Sequence, residues 1–231
     1  MIQESPTRIQ SGESTANQVE AVASLQAGEY SSAMLLLLTL LISPPSPQGL
    51  YAASPNAHWA VHSTIPVWID RRNLPPQGDQ LVEKALKTWT TASGGAFTLQ
   101  RTFVADSAGI RIYFNGAGGN YGETRPHLDG KGLIDAAEVN IAADAPIEVD
   151  PLTRGIVVYL TALHELGHAL GLEHTRNFDD IMYLFRQPGD GVRYFGNYRK
   201  LLKSADDIGA ATATGLSAYD VDALRALYAG K

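Results

Sequence analysis

The stretch from His164 to His174, HELGHALGLEH, constrains this chain more than any other part of its sequence. On a helix of 3.6 residues per turn, His164 and His168 lie one turn apart on the same face, close enough to bind one metal ion together. A straight helix does not bring a third side chain to the same ion. The chain is therefore expected to turn sharply after His168.

Gly171 predicts where that turn occurs. Glycine adopts positive φ without a Cβ penalty, so the helix can end there and bring His174 to the ion from another direction. Three imidazoles leave the fourth position of a tetrahedral zinc to water, as in catalytic sites. Glu165 follows the first histidine, so its carboxylate can accept a proton from that water. We therefore predict a zinc site formed by His164, His168 and His174, with Glu165 as general base.

The alternative interpretation is that these histidines are ordinary surface or core residues. At average residue frequencies, His-Glu-x-x-His alone occurs by chance in about one chain per hundred. Requiring Gly171 and His174 as well lowers the chance to below roughly one in ten thousand. The complete motif therefore favours a metal site over coincidence.

Composition narrows the remaining possibilities. The chain has 231 residues, a formal net charge of -6 and no cysteine. The negative charge disfavours nucleic-acid binding. Without cysteine, zinc must be held by imidazole or carboxylate groups, and no disulfide framework can form. This length suits one domain with a short extension, and we expect a monomer.

The first 53 residues are predicted to be a largely disordered leader that precedes a folded domain at 54–231. Residues 33–42 are apolar and precede a Pro-rich breaker. This run is shorter than the ~20 residues of a membrane span but has the length of a secretory signal. The only basic residue upstream is Arg8, which fits a secretory signal imperfectly. A translation start at Met34 would account for this, and the alternative to a signal is a buried helix turn in a propeptide. We predict a secreted protein, extracellular or in the periplasm or cell envelope, without a stable membrane span.

Along the rest of the chain, segments with the apolar period of a helix alternate with segments that have the period of a strand. This pattern predicts an α+β fold with a mixed sheet. Strands are expected at 65–69, 97–99, 110–114 and 139–142, and helices at 80–92, 156–170 and 217–229. Pro66 is expected at the start of its strand or on a sheet edge. Ser217 and Asp220 have the spacing of a capping box.

Together these features resemble the metzincin zinc endopeptidases and, within them, the matrixin (matrix metalloproteinase) branch. The zinc motif is complete, Ile181-Met182-Tyr183 resembles the Met-turn, and LSAYDV at 216–221 is similar to the closing helix of matrixin catalytic domains. The similarity extends over roughly residues 58 to 231. It implies a zincin-like fold with an active-site helix and a C-terminal helix, and it implies cleavage of protein or peptide substrates.

The resemblance also carries expectations about ligands and substrates. It implies an extended substrate paired with the edge strand of the sheet, and an S1' pocket beside the zinc. Matrixins often bind calcium, for which the candidates here are Asp144, Asp150, Asp179 and Asp180, although turn and cap roles explain these residues equally well. A second, structural zinc is not expected, because His127 is the only histidine between residues 100 and 150.

Two other functions stay open from the sequence: a secreted binding or adhesion domain with a structural zinc, and a zinc hydrolase of non-peptide amides. Outside the motif, His58 and His62 are expected to have packing or surface roles, and Glu123 is expected to be a solvated charge. Basic and aromatic residues alternate between 193 and 203. That pattern predicts a solvated helix face or the rim of a substrate pocket.

Overall fold

The computed structural model describes residues 56–115, 121–142 and 150–229. The predicted leader at 1–53, with its apolar segment at 33–42, lies outside the described residues, as does Asp144. The domain boundary at residue 54 therefore stays a prediction. Within the described residues, no helix combines the length and the apolar character needed to cross a membrane.

The described chain forms five strands and four α-helices, and the predicted α+β class is confirmed. The strands are β1 Ser63–Ile69, β2 Phe97–Thr102, β3 Ile110–Asn115, β4 Gly122–Leu128 and β5 Ile134–Ala142. The helices are α1 Gly78–Ala92, α2 Pro151–Ala169, α3 Asp190–Arg199 and α4 Ala218–Tyr228.

The strands form one mixed sheet in the order β2-β1-β3-β5-β4. The pairs β1–β2, β1–β3 and β3–β5 are parallel, whereas β4 runs antiparallel to β5 and forms one edge. Buried residues alternate along β3, as expected for strands with one face on the core. Helices α1 and α2 pack together, and α2 also packs on β4 and β5. The edge strand β4 and helix α2, which carries His164 and His168 and is called the motif helix below, thereby lie side by side.

The position expected for Pro66 is wrong, because β1 lies between β2 and β3 and Pro66 is its fourth residue. Proline is tolerated there for a geometric reason. The carbonyl of Pro66 accepts the N–H of Gly109 at 2.9 Å, so the nitrogen of Pro66 also faces the β3 side. The ladder with β3 begins only at Val67. The missing N–H therefore falls just before the ladder, where it removes no strand hydrogen bond.

Strand β4 was not predicted from the sequence, and its composition explains why. It reads GETRPHL, its residues alternate between half-buried and exposed, and none is fully buried. A strand with Gly122, Pro126 and three charged or titratable side chains lacks the apolar alternation that identifies strands. Such a composition is typical of an edge strand, where proline and charges prevent uncontrolled pairing.

Helix α2 begins earlier than predicted because Asp150 caps it. The Asp150 carboxylate accepts the N–H groups of Leu152 and Thr153 at 3.1 and 3.2 Å, and Pro151 occupies the first turn. Arg199 of α3 forms an ion pair with the same carboxylate at 2.9 Å. Capping thus positions the motif helix and also connects it to α3.

Helix α3 is amphipathic, which agrees with the predicted helix face. Its aromatic residues Tyr194, Phe195 and Tyr198 are buried, whereas Arg193 and Lys200 are exposed. The guanidinium of Arg193 lies 4.1 Å from the ring centroid of Phe178. The aromatic side of the helix therefore contributes to the core, and its basic side faces solvent.

Candidate metal centre

The turn after α2 brings the third histidine to the site. Gly171 adopts φ +98°. Its N–H donates to the carbonyl of His168 at 3.0 Å, and the N–H of Leu172 donates to the carbonyl of Gly167 at 2.9 Å. These two bonds form a Schellman motif, which ends a helix with a residue in the left-handed conformation. The predicted end of the helix at Gly171 is confirmed, and His174 reaches the other two histidines.

The three histidines converge through their Nε2 atoms. Nε2 of His174 lies 3.3 Å from that of His164 and 3.1 Å from that of His168. Tetrahedral zinc with Zn–N bonds of about 2.0–2.1 Å separates its ligand nitrogens by about 3.3 Å. The spacing and the all-imidazole donor set therefore fit one zinc ion. Within the described residues, this is the one group of three or more His, Cys, Asp or Glu side chains arranged to hold a metal.

Backbone carbonyls orient two of the rings. Nδ1 of His164 donates to the carbonyl of Ile181 at 2.6 Å, and Nδ1 of His168 donates to the carbonyl of Leu172 at 2.8 Å. With the proton on Nδ1, the lone pair of each ring is on Nε2 and faces its neighbours. Such outer contacts set the tautomer and the ring orientation of metal-binding histidines.

The environment keeps the imidazoles neutral. Burial, together with neighbouring His168, holds the pKa of His164 well below its usual range. Burial also lowers the pKa of His168. The pKa of His174 falls to about 4, through burial and the adjacent His168. At neutral pH all three rings are therefore in the form that binds a metal.

Glu165 lies on the same helix and points toward the edge strand. Its side chain is buried, and its Oε2 accepts the hydroxyl proton of Thr124 in β4 at 2.6 Å. Burial raises the pKa of Glu165 to about 7, although the hydrogen bond from Thr124 acts in the opposite direction. A carboxylate in this pKa range is suited to accept and release protons near neutrality. The role of Thr124 was missed because nothing in the sequence indicated β4.

The segment after His174 folds back on itself and contacts α2. The N–H of Thr175 donates to the carbonyl of Met182 at 2.8 Å, and the N–H of Leu184 donates to the carbonyl of Thr175 at 3.1 Å. Met182 is buried against α2, where a Cβ added at Gly167 would overlap its sulfur. The segment predicted to resemble the Met-turn therefore packs against the motif helix α2.

Asp220 of α4 anchors this segment. Its carboxylate accepts the N–H of Ile181 at 2.9 Å and the N–H of Ser217 at 2.8 Å. Ser217 and Asp220 form the predicted capping box, which is confirmed. Because the carbonyl of Ile181 holds the His164 ring, α4 is connected to the metal centre through Asp220 and Ile181. Burial raises the pKa of Asp220.

Replacing Asp220 by Asn should lower the free energy of unfolding by about 1–3 kcal/mol. The N–H groups of Ile181 and Ser217 both donate to Oδ2 of the carboxylate. The single oxygen of the amide keeps both bonds only if its NH2 faces the N–H of Met182, which lies 3.5 Å from Oδ1 and would lose its acceptor. Urea denaturation would measure the loss. The control is Asp222→Asn on the exposed side of the same helix, which should change the value by less than about 0.5 kcal/mol. Equal effects of both substitutions would contradict an anchoring role.

The other candidate residues have protein partners. His58 lies 2.7 Å from the carbonyl of Trp59 through Nδ1 and packs against Tyr228. Nδ1 of His62 lies 3.2 Å from the carbonyl of Gly95. The predicted packing and surface roles are thus confirmed for these two histidines. His127 contacts Asp135 at 2.6 Å.

Two of the acidic residues proposed for calcium, Asp150 and Asp180, accept hydrogen bonds from protein groups. Asp150 caps α2, and Asp180 accepts hydrogen bonds from Asn177 and Ser217 at 2.9 and 2.8 Å. Glu123 is paired with Arg125 at the surface. These contacts agree with cap, turn and surface roles, and calcium binding stays a prediction.

Comparison with known proteins now places the chain. A sequence model of the matrixin family matches residues 62–195, more than half of the chain. This chain belongs to the matrixin family. The resemblance predicted from the motif is confirmed, and with it membership in a family of zinc metalloendopeptidases. The matched range includes the edge strand, all three histidines and the Met182 segment.

Relatives of this matrixin come from animals and plants. Stromelysin-1 of Mus musculus is 32% identical over 165 residues, which are 68% of this chain and 29% of that protein. Metalloendoproteinase 1 of Glycine max is 31% identical over 113 residues, 44% of this chain and 36% of that protein. Macrophage metalloelastase of Oryctolagus cuniculus is 32% identical over 111 residues, 44% and 22% respectively. The aligned segments thus span 22–36% of these relatives.

Proposed function

We propose that this chain is a zinc-dependent endopeptidase that hydrolyses peptide bonds in protein substrates. His164, His168 and His174 would hold the ion, and Glu165 would be the catalytic residue. The observation that carries the proposal is the convergence of three neutral imidazoles, with Nε2 separations of 3.1 and 3.3 Å, beside a buried carboxylate. An intact Glu165 is the feature that a purely structural zinc site would not need.

The chain's own residues supply the proton transfers. A zinc ion held by His164, His168 and His174 would polarise the scissile carbonyl and make water acidic enough to ionise near neutrality. Glu165 accepts the proton of the attacking water on its carboxylate. It then transfers that proton to the amine nitrogen as the peptide C–N bond breaks. A pKa near 7 allows the same carboxyl group to perform both transfers.

The substrate would bind in extended form along β4. This strand is the edge of the sheet, and its antiparallel partner β5 occupies one side only. Among the described residues no strand pairs with the other side of β4, whose backbone groups could pair with an extended peptide. Through Thr124, β4 also adjoins Glu165, so a peptide paired with this strand would pass the reactive carboxylate. Main-chain pairing of this kind accepts many sequences.

Further parts of the proposal concern the setting in which the enzyme acts. A secreted, extracellular or cell-envelope location is supported by the apolar run at 33–42, which has the length of a secretory signal. Mass spectrometry of the mature N-terminus tests it, and an intact Met1 in a cytoplasmic fraction would contradict it. We further propose a monomer that does not bind nucleic acid, in keeping with the net charge of -6.

The test is metal-dependent proteolysis by the full chain. Incubation with a panel of folded proteins should produce fragments, a chelator should abolish them, and added zinc should restore them. Elemental analysis should find one zinc per chain. If the zinc-loaded protein binds proteins of the panel but never cleaves them, a binding or adhesion domain would be favoured instead. Hydrolysis of small amides alone would favour a non-peptide amidase.

A further inference from the structure

Two residues of β4 contact the side chain of Glu165. Thr124 Oγ1 lies 2.6 Å from Oε2 of Glu165 and 3.0 Å from its backbone carbonyl. A Cβ placed on Gly122 would lie 2.6 Å from both Cγ and Oε1 of Glu165. Residues two apart on a strand lie on the same face. One face of the edge strand thus borders both oxygens of the carboxylate.

The two contacts differ in kind. In the described part of the chain, Thr124 is the one residue that donates a hydrogen bond to this carboxylate. Gly122 has no side chain, which leaves space for Oε1 of Glu165. The Cβ of any other residue at this position would overlap that oxygen. A buried carboxylate held by one oxygen keeps its second oxygen oriented, because rotation about its last bond would break the hydrogen bond. Oε1 is therefore the oxygen left to accept a proton.

We propose that Thr124 is a positioning residue for Glu165, and that Gly122 leaves the space which the free Oε1 of Glu165 requires. The inference rests on the proposed function, because it concerns the residue that moves the proton. It predicts that loss of the hydroxyl slows proton transfer and leaves substrate binding intact. Valine tests this, since it keeps the shape of threonine and removes only the hydroxyl.

Thr124→Val should lower kcat by about 10- to 100-fold, the usual size for a lost hydrogen bond to a charged group. KM should stay within about 2-fold, because the positioning acts on the transition state. Thr124→Ser should recover most of kcat, since serine restores the hydroxyl. Zinc affinity, measured by competition with a chromophoric chelator, should not change. The control is Thr98→Val on the exposed face of the opposite edge strand, β2, which should match the parent protein.

A measurement independent of activity tests the contact itself. In urea denaturation of zinc-free protein, Thr124→Val should destabilise the parent chain more than it destabilises a Glu165→Ala chain. The bond to the carboxylate exists only in the parent, whereas the 3.0 Å contact of Thr124 with the backbone carbonyl of residue 165 is common to both chains. Thr124→Ala serves in its place if the valine variant does not fold. Equal destabilisation in both backgrounds would overturn the inference.

The outcomes separate the two proposals. If the parent protein cleaves substrates and Thr124→Val retains the parent kcat, the positioning role is wrong and the proposed function stands. If the parent protein cleaves nothing, the proposed function is wrong. The difference between the effects of Thr124→Val in the parent and in the Glu165→Ala chain then tests only the contact between Thr124 and Glu165. A fall in kcat that serine does not reverse would also count against the hydroxyl.

Discussion

Replacing Glu165 by Gln should reduce kcat/KM by about 10²- to 10⁴-fold while zinc stays bound. Glutamine keeps the size of the side chain but does not accept a proton from water. The three imidazoles are held by the turn at Gly171 and by the carbonyls of Ile181 and Leu172, none of which depends on this carboxylate. Activity and metal content should therefore separate.

Steady-state kinetics on a peptide that contains a site cleaved in the substrate panel would measure kcat/KM, and elemental analysis would measure the zinc content. Glu83→Gln is a suitable control, since Glu83 is exposed on α1, outside the metal centre. It should retain the parent rate. Full activity of Glu165→Gln would remove the proposed general base, and loss of zinc together with activity would show that this residue supports the metal site instead.

Replacing Gly171 by Ala should have the largest effect on stability. Positive φ disfavours alanine by about 1–2 kcal/mol, and the new methyl group would overlap the backbone carbonyl of Ala57. Overpacking of this kind adds about 1–3 kcal/mol. The free energy of unfolding should thus fall by about 2–5 kcal/mol. Zinc affinity should fall too, because the same turn brings His174 to the other ligands.

The chain offers a matched control in Gly95. Its φ is +96°, nearly that of Gly171, but a Cβ there would meet no atom within 4 Å. Gly95→Ala should therefore show the backbone penalty alone, about 1–2 kcal/mol, and leave zinc binding unchanged. Urea denaturation and chelator competition on both variants would separate strain from overlap. Equal losses would mean that contact with Ala57 contributes nothing.

The candidate metal centre could be predicted from the sequence because the residues that form it lie within a few positions of one another. His164 and His168 share a helical face through a spacing of four, and Gly171 marks the turn by the one property that distinguishes glycine. The capping box at Ser217 and Asp220 was predictable for the same reason, since it involves residues three apart. Such features depend on chain geometry over a few residues, which periodicity describes well.

Contacts between distant segments were not readable in this way. Asp220 contacts Ile181 across 39 residues, and Thr124 contacts Glu165 across 41. Neither pair has a spacing that indicates contact, and β4 lacks the apolar alternation that would have placed Thr124 on a strand. Pro66 shows the same limit, because its tolerance within an inner strand depends on where the ladder with β3 begins.

The sequence alone specified the three candidate metal ligands, the helix that carries two of them, and the α+β class. These follow from short-range spacing and side-chain chemistry, and the matrixin resemblance rests on the motifs at 164–174, 181–183 and 216–221. The order of strands, the placement of the edge strand over Glu165, and the hydrogen bonds that orient His164 and His168 emerged only when the chain was packed. Burial of the apolar faces brings these segments together, and the identity of the partner across a packed interface is not encoded in any local pattern.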